Sequence, residues 1–264
     1  MKLVTTHFQV IFIRIYLKMR NFYGQPTMIN PMKLAILFLL SVLCTATTFI
    51  PDDYQLLLSE DFEGKQPLKS FEMTDRAAWK LSKRDDNRAL HLFASSDYQP
   101  RVRSPRNIAM LSDQMYGSFV LEADLMQTGR EYGHRDMCLF FGMKDPSNFY
   151  YVHLATEPDP HAHNIFLVND EPRVAIGEKV SDGIDWGETN QWHKIKIERN
   201  IEEGFIKVYF DDMKNPIMGA TDTHFAEGYI GFGSFDDTGM VDNIKIWGPK
   251  ASDPPSSFFV SVKK

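Results

Sequence analysis

The sequence predicts an all-β protein folded as a two-sheet antiparallel sandwich. Three observations predict it. From about Tyr54 onward, apolar and polar residues alternate with period two in short runs, as they do in half-buried strands. Clusters of Gly, Pro, Asn and Asp separate the runs, and no segment carries a sustained helical stripe. The clearest runs are 89–94, 118–127, 137–143, 149–155, 164–168, 173–176, 192–199, 205–210, 228–235 and 240–247. Strands in close succession with no helical pattern between them predict hairpins and Greek-key connections packed as two layers. Within 192–199, Trp192, Lys194 and Lys196 alternate with His193, Ile195 and Ile197, so one face is aliphatic and the lysines of the other extend into water. Asp211 and Asp212 then mark a turn, because Asp side chains hydrogen-bond their own backbone there.

The chain has 264 residues, 43% of them hydrophobic and 13% aromatic. That is enough to bury one large core, and sandwiches of roughly 200–250 residues form single domains. A net charge of -6 with no basic stripe excludes a nucleic-acid partner, which needs Lys and Arg against phosphates. No Gly-x-Ser-x-Gly elbow, phosphate-cradling loop, dinucleotide fingerprint or Cys-x-x-Cys occurs. Nucleotide binding, hydride transfer and triad esterase chemistry therefore lack their residues.

Met32 and Lys33 lead into the apolar run 34–43 and then Cys44-Thr45-Ala46, the layout of a signal peptide with its basic start, short apolar stretch and small-residue cleavage site. The run is too short to cross a hydrocarbon core, which needs about 20 residues. The sequence thus divides into an upstream extension (1–31), a signal peptide (32–48), the sandwich (52–250) and a Pro- and Ser-rich tail (251–264). A second reading makes 1–31 a longer basic leader or an anchor. Export implies a secreted or periplasmic location without a membrane span in the mature form. Once the leader is cut after Ala46, Cys138 is the only cysteine, which precludes an intramolecular disulfide. Its apolar neighbours Met137, Leu139, Phe140 and Phe141 predict a buried thiol.

Two stretches carry a resemblance to a known superfamily: Trp192 to Asp212, and Gly228-Tyr229-Ile230-Gly231-Phe232-Gly233-Ser234 followed by Asp242-Asn243-Ile244-Lys245-Ile246-Trp247. They resemble the closing strands of concanavalin-like lectin and glucanase domains, including laminin-G-like modules and secreted bacterial keto-disaccharide hydrolase-like domains. The resemblance implies a jelly-roll sandwich, and this scaffold carries lectins, hydrolases, lyases and adhesion modules alike. It also implies a structural Ca2+ tying the first strand to the last, with Glu60, Asp61 and Asp242 as similar positions whose carboxylates offer the hard oxygens calcium takes. The plainer reading of the same residues is a solvated strand end and a turn cap. Glycosidases of this fold use Glu-x-Asp-x-x-Glu on one strand. Here Glu122 and Asp124 match, but Gln127 replaces the third acid and cannot serve as acid or base.

The densest chemistry falls between Gly129 and Arg173. Arg130, His134, Arg135 and Asp136 precede one strand, and Tyr151 and His153 share a face of the next. A proline-punctuated loop then holds His161 and His163, which point together if that segment is extended, and Asn169 and Arg173 follow. Three readings stand side by side. The first is a groove for a polysaccharide or oligosaccharide, with rings for its C–H faces and polar groups for its hydroxyls, and with His153 or His163 as proton shuttle. The second is a transition-metal site built on His-x-His. The third is a structural loop without ligand. The sequence-level expectation is an exported carbohydrate-active protein that binds, and in one version cleaves, its sugar on a concave sheet face. A non-catalytic adhesion or scaffold module of laminin-G type is the alternative.

Overall fold

The computed structural model of the protein describes residues 49–84 and 86–252. The expected upstream extension and signal peptide lie outside the described residues, as does the tail beyond Ser252.

Seventeen strands follow one another: β1 (Gln55–Glu60), β2 (Phe71–Met73), β3 (Trp79–Arg84), β4 (Asn87–Leu92), β5 (Asn107–Tyr116), β6 (Phe119–Gln127), β7 (Asp136–Asp145), β8 (Asn148–Ala155) and β9 (Asn164–Asn169). The series continues through β10 (Val174–Ala175), β11 (Lys179–Val180), β12 (Trp192–Arg199), β13 (Phe205–Phe210), β14 (Met218–Thr221), β15 (Gly228–Ser234), β16 (Gly239–Gly248) and β17 (Ala251–Ser252). Among the described residues the only helical element is a 3-10 turn at Arg76–Ala78, and no helix is long and apolar enough to cross a membrane.

The strands form two antiparallel sheets. Sheet A runs β11-β14-β13-β12-β6-β16-β4-β3, with β1 also paired to β16; sheet B runs β10-β9-β8-β7-β15-β5-β17, with β2 also paired to β5. Alternation decides what faces inward. From sheet A come Leu121, Ala123 and Leu125, then Ile195 and Ile197, then Val241, Ile244 and Ile246; Leu139, Phe141, Tyr150, Val152, Leu154, Ile230 and Phe232 meet them from sheet B. Register supports this packing, since Ile195 lies opposite Ala123 and Ile197 opposite Leu121. Each large side chain so buried contributes about 1.5–3 kcal/mol.

Sheet B is covered on its outer face as well. Ile108, Met110, Cys138, Phe140, Tyr151, Phe166, Val168 and Tyr229 form a second buried cluster there, with Val102 packed against it. Val102 belongs to the connection 93–106 between β4 and β5, which lies over this face. It is pinned by the Arg101–Asp170 ion pair and by the Arg173 N–H donating to the Arg103 carbonyl at 3.4 Å.

Strands β1, β2, β3, β5, β11, β14 and β17 have no counterpart among the expected runs. In β5 the residues Asn107–Leu111 are all buried, because β5 is flanked by β15 on one side and by β2 and β17 on the other and has cover on both faces, so the apolar run is continuous. Ala251 and Ser252 pair with Tyr116 and Met115. One further expectation is corrected. Lys196 is not in water: it is 3% exposed, with Nζ donating to Glu198 Oε1 at 2.7 Å and to the Met213 carbonyl at 2.8 Å and sitting 3.7 Å from the Tyr209 ring centroid.

Arg199, at the end of β12, is 2% exposed. Its Nη1 donates to the carbonyls of Gly204 (2.6 Å) and Asp222 (2.8 Å), its Nη2 to that of Phe225 (3.2 Å), and the guanidinium lies 5.3 Å from the Tyr150 ring. Arg199→Met keeps the packing but strands these carbonyls, so urea denaturation should show a loss of about 3 kcal/mol or more; an unchanged midpoint would mean that the carbonyls are satisfied by water.

Candidate functional site

Sheet B ends in a group of buried polar residues. Asp136, the first residue of β7, is 2% exposed. Its Oδ2 accepts the Phe235 N–H at 2.8 Å and the Cys138 thiol at 3.2 Å, and its Oδ1 accepts the Ser234 hydroxyl at 3.3 Å. Strand alternation puts Asp136 and Cys138 on one face of β7, and register places Cys138 opposite His153 of β8. His153 Nε2 thus comes to 3.5 Å from Asp136 Oδ2. Among the described residues, Asp136, Cys138 and His153 are the one group of three whose ligand atoms all lie within 4.8 Å of one another. It is a nitrogen, oxygen and sulfur donor set with the composition of a metal site.

Burial sets the protonation of this group. It pushes the Asp136 carboxyl above the usual carboxylate range and raises the Cys138 thiol, with the Asp136 charge adding to the effect. Burial, then the Arg173 charge, lowers the His153 imidazole to about 4. Asp237, which accepts the Tyr132 hydroxyl at 2.7 Å and the Asp136 N–H at 3.0 Å, is pushed up to about 7 by burial and by Asp136.

Above the group opens a cleft of about 390 Å³ lined by Tyr98, Gln99, Pro100, Arg103, Ser104, Arg106, Phe235 and Asp236. Phe235 is its floor. It stacks on His153 at 6.1 Å with an interplanar angle of 5°, and the Arg173 guanidinium lies 4.5 Å from its ring centroid. Asn107 fixes the walls relative to each other, its Oδ1 accepting the Ser96 N–H at 2.8 Å and its Nδ2 donating to the Phe235 carbonyl at 3.4 Å. Gly233 permits the close approach of β15 to β5, because a Cβ there would sit 1.7 Å from the Asn107 carbonyl oxygen.

The residues singled out in the sequence divide in the structure. Asp136, Tyr151, His153 and Arg173 come together as one group, but beneath the surface: Tyr151 is 0% exposed, so neither it nor His153 lines an open groove. His134, in the β6–β7 connection, and His161, in the β8–β9 connection, are exposed, His134 Nδ1 lying 3.5 Å from Asp159 Oδ2 and the His161 N–H donating to Asp159 Oδ1 at 2.6 Å. Arg130 is exposed over the Tyr132 ring. Arg135 points elsewhere, donating to the Gly187 carbonyl at 3.0 Å. Asn169 pairs with Asn148 while His153 pairs with Asn164, so it lies at the other end of β9, about 17 Å away at 3.3–3.4 Å per residue.

His161 and His163 do not point together. His163 has φ +49°, which turns its ring inward, where Nδ1 accepts the Ala155 N–H at 3.4 Å and Nε2 faces Ser181 Oγ at 3.0 Å. The Ala155 donor leaves the ring proton on Nε2, so the neutral ring is satisfied at both nitrogens and holds a loop in place. The carboxylates expected to bind calcium lie where β1 pairs with β16, and the charges of Asp124 and Asp61 add to burial in raising the Asp242 carboxyl. Glu60 Oε1 accepts the Phe62 N–H, Asp61 Oδ1 the Glu63 N–H, and Asp242 the Asn243 N–H and the Asn87 amide. Glu60 and Asp61 thus brace the turn after β1, while Asp242 ties β16 to Asn87 of β4. Glu122 and Asp124 sit on the outer face of sheet A, with Asp124 near Lys194 and accepting from Asn243.

Sequence reasoning missed Tyr98, Arg103, Arg106, Phe235 and Asp236. The signal available was the connection 93–106 itself, long for a link between strands and carrying Tyr98 and three arginines; connections of that length are usually functional.

The fold and site together define a two-sheet jelly-roll sandwich with a ligand-sized polar cleft on the outer face of one sheet. No protein-family model matches the chain, and no curated protein matches it. Among solved structures it is similar to a carbohydrate-binding module from Bacillus subtilis, at 19% identity and TM-score 0.47, covering 68% of this chain and 96% of that one. It is also similar to domain 4 of an extracellular arabinanase from Geobacillus stearothermophilus in complex with arabinotriose (15%, TM-score 0.45, 76% and 95%) and to a lectin from Bauhinia forficata in complex with GalNAc (11%, TM-score 0.47, 75% and 99%). These are concanavalin-like sandwiches, and identities this low carry no site residue across.

Burial lowers the His163 imidazole to about 4, with His153 adding to the effect. The folded state therefore resists a proton that the unfolded chain accepts from about pH 6.5 downward. The thermal midpoint should fall as pH drops from about 6.5 to about 4, the contribution being intact above that window and gone below it. His163→Asn, which tolerates a positive φ, should flatten this slope; an unchanged slope would show that His163 is not among the groups responsible.

Proposed function

We propose that this is an exported carbohydrate-binding sandwich whose ligand lies in the cleft between the connection 93–106 and Phe235–Asp236. The observation that carries the reading is the lining. Tyr98 and Phe235 line the cleft beside Arg103, Arg106 and Asp236. A sugar presents C–H faces to rings and hydroxyls to groups that give or take two hydrogen bonds. Export rests on the leader pattern of 32–48, and it suits a protein whose ligand is an extracellular glycan.

Binding is favoured over cleavage by where the histidines lie. A proton shuttle must reach the glycosidic oxygen within hydrogen-bond distance. His153 lies under Phe235, and His163 is occupied at both nitrogens. The pair Glu122 and Asp124 lacks a third acid on a face remote from the cleft.

Retention of the purified protein on a panel of insoluble polysaccharides, with calorimetry on matching oligosaccharides, tests the reading. Wild type should be retained by at least one glycan and release no soluble sugar. Phe235→Ala should weaken binding about 3- to 10-fold, the worth of one aromatic contact, and Arg103→Ala by a comparable factor. Binding indifferent to both changes would remove the ligand from the cleft, and retention by no glycan would turn the reading to protein adhesion.

A further inference from the structure

We propose that Asp136, Cys138 and His153 bind a divalent transition-metal ion of the Zn2+ class, independently of which ligand the cleft takes. Two of the three donor separations match a coordination shell. Sγ to Oδ2 is 3.2 Å and Nε2 to Oδ2 is 3.5 Å, and all three donor atoms lie within 4.8 Å of one another. Bonds of about 2.0–2.3 Å to nitrogen, oxygen and sulfur at tetrahedral angles put the ligand atoms about 3.3–3.5 Å apart. The donor set discriminates as well: thiolate with imidazole and one carboxylate suits zinc or cobalt and is wrong for calcium or magnesium.

A second observation points to a bound species. Neither ring nitrogen of His153 makes a well-formed hydrogen bond among the described residues, although the residue is 5% exposed; the His161 backbone and the Asp136 carboxylate, 3.5 Å from Nε2, are polar groups that act on the ring. The adjoining Tyr151 hydroxyl, 0% exposed, makes no hydrogen bond among them either. Buried polar groups left so are rare, and each costs about 1–3 kcal/mol. An ion ligated by Nε2 gives that nitrogen a partner.

Charge balance supports the assignment. The ion displaces the thiol proton and any carboxyl proton to solvent, and two plus charges then meet one thiolate and one carboxylate, leaving no net charge among Phe140, Phe166 and Phe235. Three protein ligands leave a coordination position for water or a ligand atom. Arg173 is the opposing charge. Its Nε and Nη1 have no partner among the described residues, while Nη2 donates to the His161 carbonyl at 3.2 Å. An anionic fourth ligand would satisfy both the ion and this guanidinium.

The test uses the full chain stripped with a chelator and titrated with Co2+. The expected result is one equivalent bound, with a thiolate-to-cobalt charge-transfer band in the near ultraviolet and a raised thermal midpoint with either Co2+ or Zn2+. Cys138→Ser should abolish the band while circular dichroism stays that of a sandwich, and His153→Gln should weaken binding by more than the roughly 10–100-fold that loss of an outer partner costs. His161→Ala, on the exposed loop, should change nothing. No band and no stabilisation in the wild type would overturn the proposal whatever the variants do, as would a band that survives Cys138→Ser.

Discussion

The buried carboxylate of Asp136 is the constraint on which the site depends. It sits where β7 begins and accepts from the turn that follows β15, through the Ser234 hydroxyl and the Phe235 N–H. Its own backbone is tied in turn, since its N–H donates to Asp237 and its carbonyl accepts the Gln127 amide. One residue therefore joins β6, β7 and the β15–β16 turn. A carboxylate this far from water is costly unless its oxygens are bonded, and the bonds it makes aim Phe235 at the cleft. The floor of the binding surface is set from below, by polar contacts that the surface itself does not display.

The sandwich supplies rigidity and the connection 93–106 supplies the site. The inner core packs β6, β12 and β16 against β7, β8 and β15. Covering the outer face of sheet B with Val102 over Phe140, Tyr151 and Phe166 creates a second core, and the edge of the cover is the cleft. Ligand sites placed on a loop held by a stiff scaffold follow the same division of labour.

The layers of the fold were legible in the sequence, and the depth of the side chains was not. Period-two alternation located β6, β12 and β13 to within a residue, because each has one face in the inner core. It failed at β5, where cover on both faces erases the alternation over Asn107–Leu111. For the site, alternation correctly put Tyr151 and His153 on one face. It carried no information that a connection forty residues earlier in the chain closes over them. It also paired His161 with His163, which the positive φ of His163 undoes; no spacing rule foresees a single left-handed residue. Tyr98, Arg103 and Arg106 have no periodicity at all, and only their tertiary position beside Phe235 makes them a surface.

The most direct measurement is a backbone amide NMR map of the protein titrated with the oligosaccharide that matches its retained polysaccharide. Shifts confined to residues 98–106 and 235–237, with smaller ones at His153 and Arg173 beneath, are expected if the cleft above Asp136 is where the sugar sits. Shifts on the outer face of sheet A, around Glu122, Asp124 and Lys194, with the 98–106 amides unmoved, would contradict it and place binding on the other side of the sandwich.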